Sequence, residues 1–531
     1  MGQRDNKIKK ILIISLILIL VIFLVSSCFA ASGSGNNIID IIRIGDATGD
    51  WGFPSPYGMY SRGPGYIRMS LIFDTLVWKD REGNIIPMLV ENWDYDESSN
   101  TFNFKLRKGV KWHDGEEFDA SDVIFTFKYI DKNPWVWVDS SFIDSVKKIN
   151  DYEVSITLSQ KYAPFLSNIA GTLPILPEHI WAEIEEPLTY IGSDALTGTG
   201  PFMIEDYNAS EGSYLFKANP DYYIGKVSVS NIAFIKVSEE TTPAMLKNGK
   251  INAGAIPPDL VAELEEENLM IEEEPPVWAA KLLINHESNE IFKEKAFRQA
   301  LAYAINTEQI VEISQRGFAV VGSAGLIPPA NSFWYNEETP VYEYNPLKTA
   351  ELIEGLGWKK GQDGYYHKDG NILEMELAVS PGVFERDAQI VKANLEDAGM
   401  KIGLISYESK TLDSMVEEWN FDLAISGHGG LGGDPESLNR VIIGEGFNSV
   451  RYFKNKRMIE LLKSQITEMD QDVRKEIIYE IQEIYADELP SITLYYPKRY
   501  WAHDEEADIS YTEGGLAMGI PIPINKIAFI D

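Results

Sequence analysis

Residues 102–127 read FNFKLRKGVKWHDGEEFDASDVIFTF. Phe102, Phe104 and Leu106 alternate with polar residues, the period of a half-buried strand, because successive strand side chains point to opposite faces. Arg107, Lys108 and Gly109 end that strand. Asp114-Gly115 is a turn dipeptide, since glycine accepts a positive φ without a Cβ clash. Asp119 has the chemistry of a helix N-cap, and Asp122, three residues on, stands in the capping-box position. Val123, Phe127 and Ile130 give the helix one apolar face. The stretch therefore predicts strand, turn, short loop and helix.

As a longer pattern, LRKGVKWHDGEEFDASDVIFTF resembles the fingerprint of the family 5 extracellular solute-binding proteins, the peptide- and nickel-type receptors of ABC importers. FDTLVWKD (73–80) and PMLVENWDY (87–95) resemble that family's lead-in. GTGPF (198–202), FRQALAYAIN (297–306), YNPLKTAELIEGLGW (344–358) and LPSITLYY (489–496) follow in family order. The resemblance runs from roughly residue 40 to the C-terminus. It implies an α/β fold: a bilobal clamp, periplasmic-binding-protein-like, with an extra inserted domain. One lobe would be discontinuous, taking 38–78, 197–296 and 494–531; a small domain, 79–196, would be inserted into it; 297–493 would form the second lobe. The implied role is capture of a small solute outside the membrane by hinge closure and delivery to an ABC permease. The ATPase subunits of that permease would be separate chains, and the receptor itself a monomer.

Composition agrees with that setting. A chain of 531 residues is too long for one ordinary domain, and 44% hydrophobic and 11% aromatic residues supply sizeable cores. A formal charge of −34 argues against nucleic acid, whose phosphates it would repel. Arg4, Lys7, Lys9 and Lys10 precede an apolar run, Ile11 to Val25, too short for a bilayer span and suited to a signal segment. Val25-Ser26-Ser27-Cys28 resembles a lipobox, so 1–28 reads as a lipoprotein signal segment with Cys28 as the lipid anchor. Cys28 is the only cysteine, which excludes an intramolecular disulfide. A retained apolar anchor would give the same location, the outer face of the cytoplasmic membrane. Residues 29–37, rich in Gly, Ser and Asn, form a flexible tether.

Beyond the fingerprint, short strands and helices alternate throughout, an α/β texture. VSITLSQ (154–160), Val229–Val237, LEMELAVS (373–380), FDLAISG (421–427) and SITLYYP (491–497) read as strands. Residues 455–488 read as a long amphipathic helical pair, and ELEEENLMIEEE (263–274) as a solvated acidic face.

Catalytic signatures are missing from the sequence: there is no HExxH, P-loop, G-x-S-x-G or CxxC. The six histidines stand at no metal-ligand spacing, so neither a metal nor a cofactor is expected. What remains is aromatic-rich irregular backbone, suited to enclosing a small ligand. In the loop after the first strand, Tyr57, Tyr60 and Arg62 are candidates, because by resemblance that loop borders the cleft; the alternative is rings packing the loop on itself. Trp278, Trp334 and His428 are candidates on the same ground, with core packing as the alternative for the tryptophans. In peptide-binding relatives an Asp four residues before the loop proline pairs with the ligand's α-ammonium. Here that position, counted back from Pro435, is Leu431, and the nearby Asp434 reads as an N-cap, although a gapped alignment through the run of glycines would recruit Asp434 to the ligand instead. The resemblance thus implies a receptor that does not hold a free peptide N-terminus in the usual way, which leaves open a blocked peptide, an oligosaccharide or a metal chelate. An extracellular hydrolase is the competing class, and it would need a catalytic dyad.

Overall fold

Two mixed sheets carry the molecule in the computed structural model, which describes residues 39–382, 384–446 and 449–531. The stretches read above as signal segment and tether, with Cys28, lie outside the described residues. Strand Ile39–Asp46 runs parallel to Val229–Lys236, with Ile42 opposite Ile232 and Ile44 opposite Phe234. Ala253–Ile256, Tyr500–His503 and Met270–Glu273 extend this sheet on one side, and Ser213–Ala218 and Phe202–Asn208 on the other, making seven strands. Ile42, Ile44, Ile232 and Phe234 are buried in one core with helix Gly63–Ile72.

The second sheet has six strands, in the order Ala319–Val321, Ser491–Pro497, Ala279–Ile284, Leu423–His428, Glu374–Val379 and Lys401–Ser406. Every residue of Ala279–Ile284 is buried. Ala280, Leu282 and Ile284 face a core shared with helices Lys295–Ala304 and Glu385–Asp397. Ala279 and Leu283 face another, shared with Ser409–Glu417, Ser437–Ile443 and the helical pair Lys456–Thr467 and Gln471–Glu488. A strand apolar on both faces needs helices on both faces, and this sheet has them. That explains one departure from the sequence reading. Residues up to 296 were grouped with the first lobe, yet Ala279–Ile284 pairs inside the second sheet, with Leu423–His428 and Ser491–Pro497.

The opening stretch folds as its local chemistry dictates. Thr101–Leu106 lies in a four-stranded antiparallel sheet with Val90–Asp96, Glu153–Leu158 and Ile143–Asn150. Helix Ala120–Lys132 starts with a complete capping box: Asp119 accepts from Ser121 N–H at 2.5 Å, and Asp122 accepts from Asp119 N–H at 3.1 Å. Gly115 has φ +96°, as the turn requires. His113 is a structural clamp. Its Nδ1 accepts from Gly198 N–H at 3.3 Å, so Nε2 carries the proton and donates to the Gly200 carbonyl at 3.0 Å. This ties the fingerprint to GTGPF, where only glycine fits: a Cβ on Gly198 would sit 2.0 Å from the Ile72 carbonyl oxygen.

Candidate functional site

The chain passes between the seven- and six-stranded sheets twice, at 274–278 and at 498–499, and the two passages touch: Glu274 N–H donates to the Arg499 carbonyl at 2.8 Å. Beside them opens a cleft of about 1110 Å³ lined from both sheets. The first sheet and its loops contribute Asp46, Trp51, Arg62, Arg68, Phe234 and Trp501; the other side contributes Trp278, Asp413, Glu417, Gly427 and His428.

Asp46 organises the first wall. It ends its strand and accepts from Thr48 N–H (2.8 Å), the Trp51 indole N–H (2.8 Å) and the Arg68 guanidinium (2.7 Å). The loop Gly45–Trp51 is therefore wound around one carboxylate, with the Trp51 ring against the cleft. Arg68 is buried; it also donates to the Pro64 carbonyl at 2.9 Å and lies 4.2 Å over the Phe234 ring. Burial pulls its pKa down, and Asp46 opposes that.

At the hinge, Glu274 is 8% exposed, and burial pushes its carboxyl up to about 7 against the pull of Arg499, 3.5 Å away. The Arg499 guanidinium lies 5.7 Å over the Trp278 ring, and Trp278 stacks on Phe384 at 6.0 Å and 9°. Trp278 also covers Gly427, where a Cβ would come within 2.0 Å of the indole. His428 Nδ1–H donates to the Gly429 carbonyl at 2.9 Å, which leaves Nε2 of the neutral ring as a bare lone pair with no partner. Burial, then the nearby Lys281, holds this imidazole well below its ordinary pKa.

Four aromatic side chains, Trp51, Phe234, Trp278 and Trp501, offer flat apolar surface. The charged groups among them can orient a polar ligand. Thr242, the one hydroxyl on the described lining, donates to the Ser238 carbonyl at 3.1 Å. The arrangement encloses and orients; no hydrogen-bonded nucleophile–base pair stands among the described lining residues.

Of the residues singled out in the sequence, Arg62, Trp278 and His428 border this cleft. The other five stand elsewhere. Tyr57 is packed between Tyr129 and Trp181, its hydroxyl donating to the Asn133 carbonyl at 2.7 Å. Tyr60 is exposed and donates to Asp50 at 3.1 Å. Trp334 is buried under the Arg474 guanidinium, 5.3 Å from its ring. Leu431 is 2% exposed, inside the second lobe's core. Asp434 accepts from Glu436 N–H at 2.8 Å but is not the N-cap of Ser437–Ile443, a position that Glu436 holds without a side-chain cap; it forms a two-pronged pair with Arg474 at 2.8 and 2.5 Å. Glu274, read as part of a solvated acidic face, is instead buried at the hinge. Arg68, Trp51 and Trp501 were missed. Arg68 carried a signal, a lone cation inside the apolar run Ile67 to Ile72.

Residues 84–446 match the family model described as "Bacterial extracellular solute-binding proteins, family 5 Middle". The chain belongs to that family. The oligopeptide-binding protein AppA of Bacillus subtilis is 28% identical to this solute-binding protein over 464 residues, covering 83% of each chain. Heme-binding protein A of Haemophilus influenzae is 26% identical over 454 residues, covering 79% of this chain and 81% of the relative. Among solved structures, NikZ from Campylobacter jejuni in complex with Ni(L-His) superposes with a TM-score of 0.73 at 26% identity, over 90% of this chain and 97% of the other. The fold is thus the bilobal clamp of family 5. Among the described residues no helix is long and apolar enough to cross a membrane.

Proposed function

We propose that this family 5 protein is the substrate-binding component of an ABC importer, capturing a peptide or peptide-like solute by hinge closure and presenting it to the permease and its ATPase subunits. The observation that carries this reading is a cleft lined from two sheets across a two-passage hinge, with aromatic rings on both walls. Two lobes joined by short connections close around a ligand by rotating about them. The protein acts as a monomer at the outer face of the cytoplasmic membrane, and no step of this role makes or breaks a bond.

A screen of di- to pentapeptides by calorimetry, followed by small-angle scattering with the tightest binder, tests it. The expected result is a smaller radius of gyration at saturation and a thermal midpoint that rises with ligand concentration. Saturation without any change in radius would count against hinge closure. A metal chelate is the second reading, favoured by His428, whose Nδ1–H is held by a carbonyl while Nε2 is free, the orientation of a metal-binding histidine. Nickel–histidine in the same screen separates the two.

The anchor belongs to the same proposal. The motif ending at Cys28 supports cleavage and lipid attachment there. Metabolic labelling with a fatty acid is expected to mark the wild type and not Cys28→Ala; an unlabelled wild type would mean that the apolar run is retained.

A further inference from the structure

Lys281 lies in the middle of a strand whose other five residues are apolar. It is 1% exposed, and its Nζ has no hydrogen-bond partner among the described residues. No carboxylate there lies within pairing distance of it. A buried ammonium without an acceptor is costly, because desolvation removes its hydration and nothing replaces it.

Its immediate neighbours across the sheet are polar. On the neighbouring strands Lys281 is paired with Ser426 and with Thr493, both buried. Cross-strand partners share a face of the sheet, so the three side chains point together into the second lobe's core. Two residues along from Ser426 on the same face is His428. Thr493 Oγ1 and His428 Nε2 are likewise buried without partners. Three unpartnered polar atoms thus gather on one sheet face, in a layer otherwise filled by residues such as Ala279, Leu283 and Leu431. Burial lowers the Lys281 pKa to about 7, and burial together with the nearby Lys281 and Arg440 lowers that of His428, so the site penalises positive charge that an anion would stabilise. Only His428 of the three borders the cleft, so it stands between the cleft and the lysine.

We propose that Lys281, Thr493 and His428 form a socket for a single carboxylate or small monoanion, set in the second lobe behind the cleft wall. The ammonium and the Thr493 hydroxyl donate to the anion. His428, two residues along the same strand face from Ser426, closes the socket on the side of the cleft. The anion has two possible sources, a free ion or the acidic end of the cleft ligand; the second rests on the importer reading above, the first does not.

The test uses the full chain. Thermal midpoints are measured as sodium gluconate, a bulky anion, is replaced by sodium formate or chloride at constant ionic strength. Crystals soaked in sodium bromide are examined for anomalous scattering. The expected result is a saturable rise in midpoint for wild type, absent in Lys281→Met and reduced in Thr493→Val, with a bromide peak within hydrogen-bonding distance of Lys281 Nζ. Lys281→Arg, which keeps the charge, guards against misfolding of the methionine variant. Peptides with a free C-terminus, set against their C-terminal amides, separate the sources. If the acids displace bromide and the amides do not, the ligand supplies the carboxylate; if bromide stays under both, the guest is a free ion. Bromide bound with no peptide bound would sink the peptide reading and keep the socket. The same midpoint response in wild type and Lys281→Met, with no bromide peak at Lys281, would overturn the socket and leave a water-filled site.

Discussion

Asp434→Ala is expected to destabilise the second lobe by about 3–5 kcal/mol, the usual cost of leaving a buried charge without its partner. The partner is Arg474, which is 4% exposed and receives two hydrogen bonds' worth of compensation from Asp434, at 2.8 and 2.5 Å. Gln465 Oε1 accepts from the same guanidinium at 2.8 and 3.2 Å, and the Trp334 ring covers it at 5.3 Å. Removing the carboxylate leaves that cation desolvated between an amide and a ring. Thermal unfolding should show a fall of several degrees, and the double variant Asp434→Asn with Arg474→Met should recover much of it, because an absent pair costs less than a broken one. The same variant examines the ligand. A carboxylate already engaged by arginine is not free to receive an α-ammonium, so free and N-acetylated peptides should lose affinity equally in Asp434→Ala. If free peptides alone lose binding while the fold stays intact, Asp434 is their ammonium partner after all.

Lys526→Met is expected to be as damaging in the first lobe. Lys526 and Asp74 have fully buried side chains and meet at 2.5 Å. Lys526 also donates to the Phe73 carbonyl at 3.1 Å and lies 4.3 Å over the Trp78 ring. Asp74 accepts from Tyr223 at 2.9 Å and, at 3.4 Å, from Tyr222 and Thr199. These neutral donors cannot replace an ammonium inside a low-dielectric core, so the variant should lose about 3–5 kcal/mol. The pair also fastens the C-terminal segment to the helix exit at Phe73, so limited proteolysis should cut the chain beyond strand Tyr500–His503 faster than in wild type. Adding Asp74→Asn should restore part of the loss. An unchanged midpoint and an unchanged cleavage rate for Lys526→Met would show that the pair contributes little.

Interactions closed within a few residues were legible in the sequence. The capping box of Asp119 and Asp122 spans three residues, and the Asp114-Gly115 turn only two, so local stereochemistry settles both. The long fingerprint with its ordered neighbours pointed to the family and so to a two-lobed clamp, and placed Arg62, Trp278 and His428 near the cleft. Tertiary structure alone decided the rest, because the deciding partners are far apart along the chain. Asp434 is engaged by an arginine forty residues away. Glu274 belongs to an acidic run that looked solvated, and it is buried because the chain crosses the hinge there and meets Arg499. Leu431 turns into the core once the glycine-rich loop folds over the six-stranded sheet. Lys281, unremarked among apolar neighbours, becomes chemically distinctive only when pairing of three strands sets it beside Ser426, Thr493 and His428. Strand pairing brings together residues that sequence order separates, and burial then fixes which of their charges must find a partner.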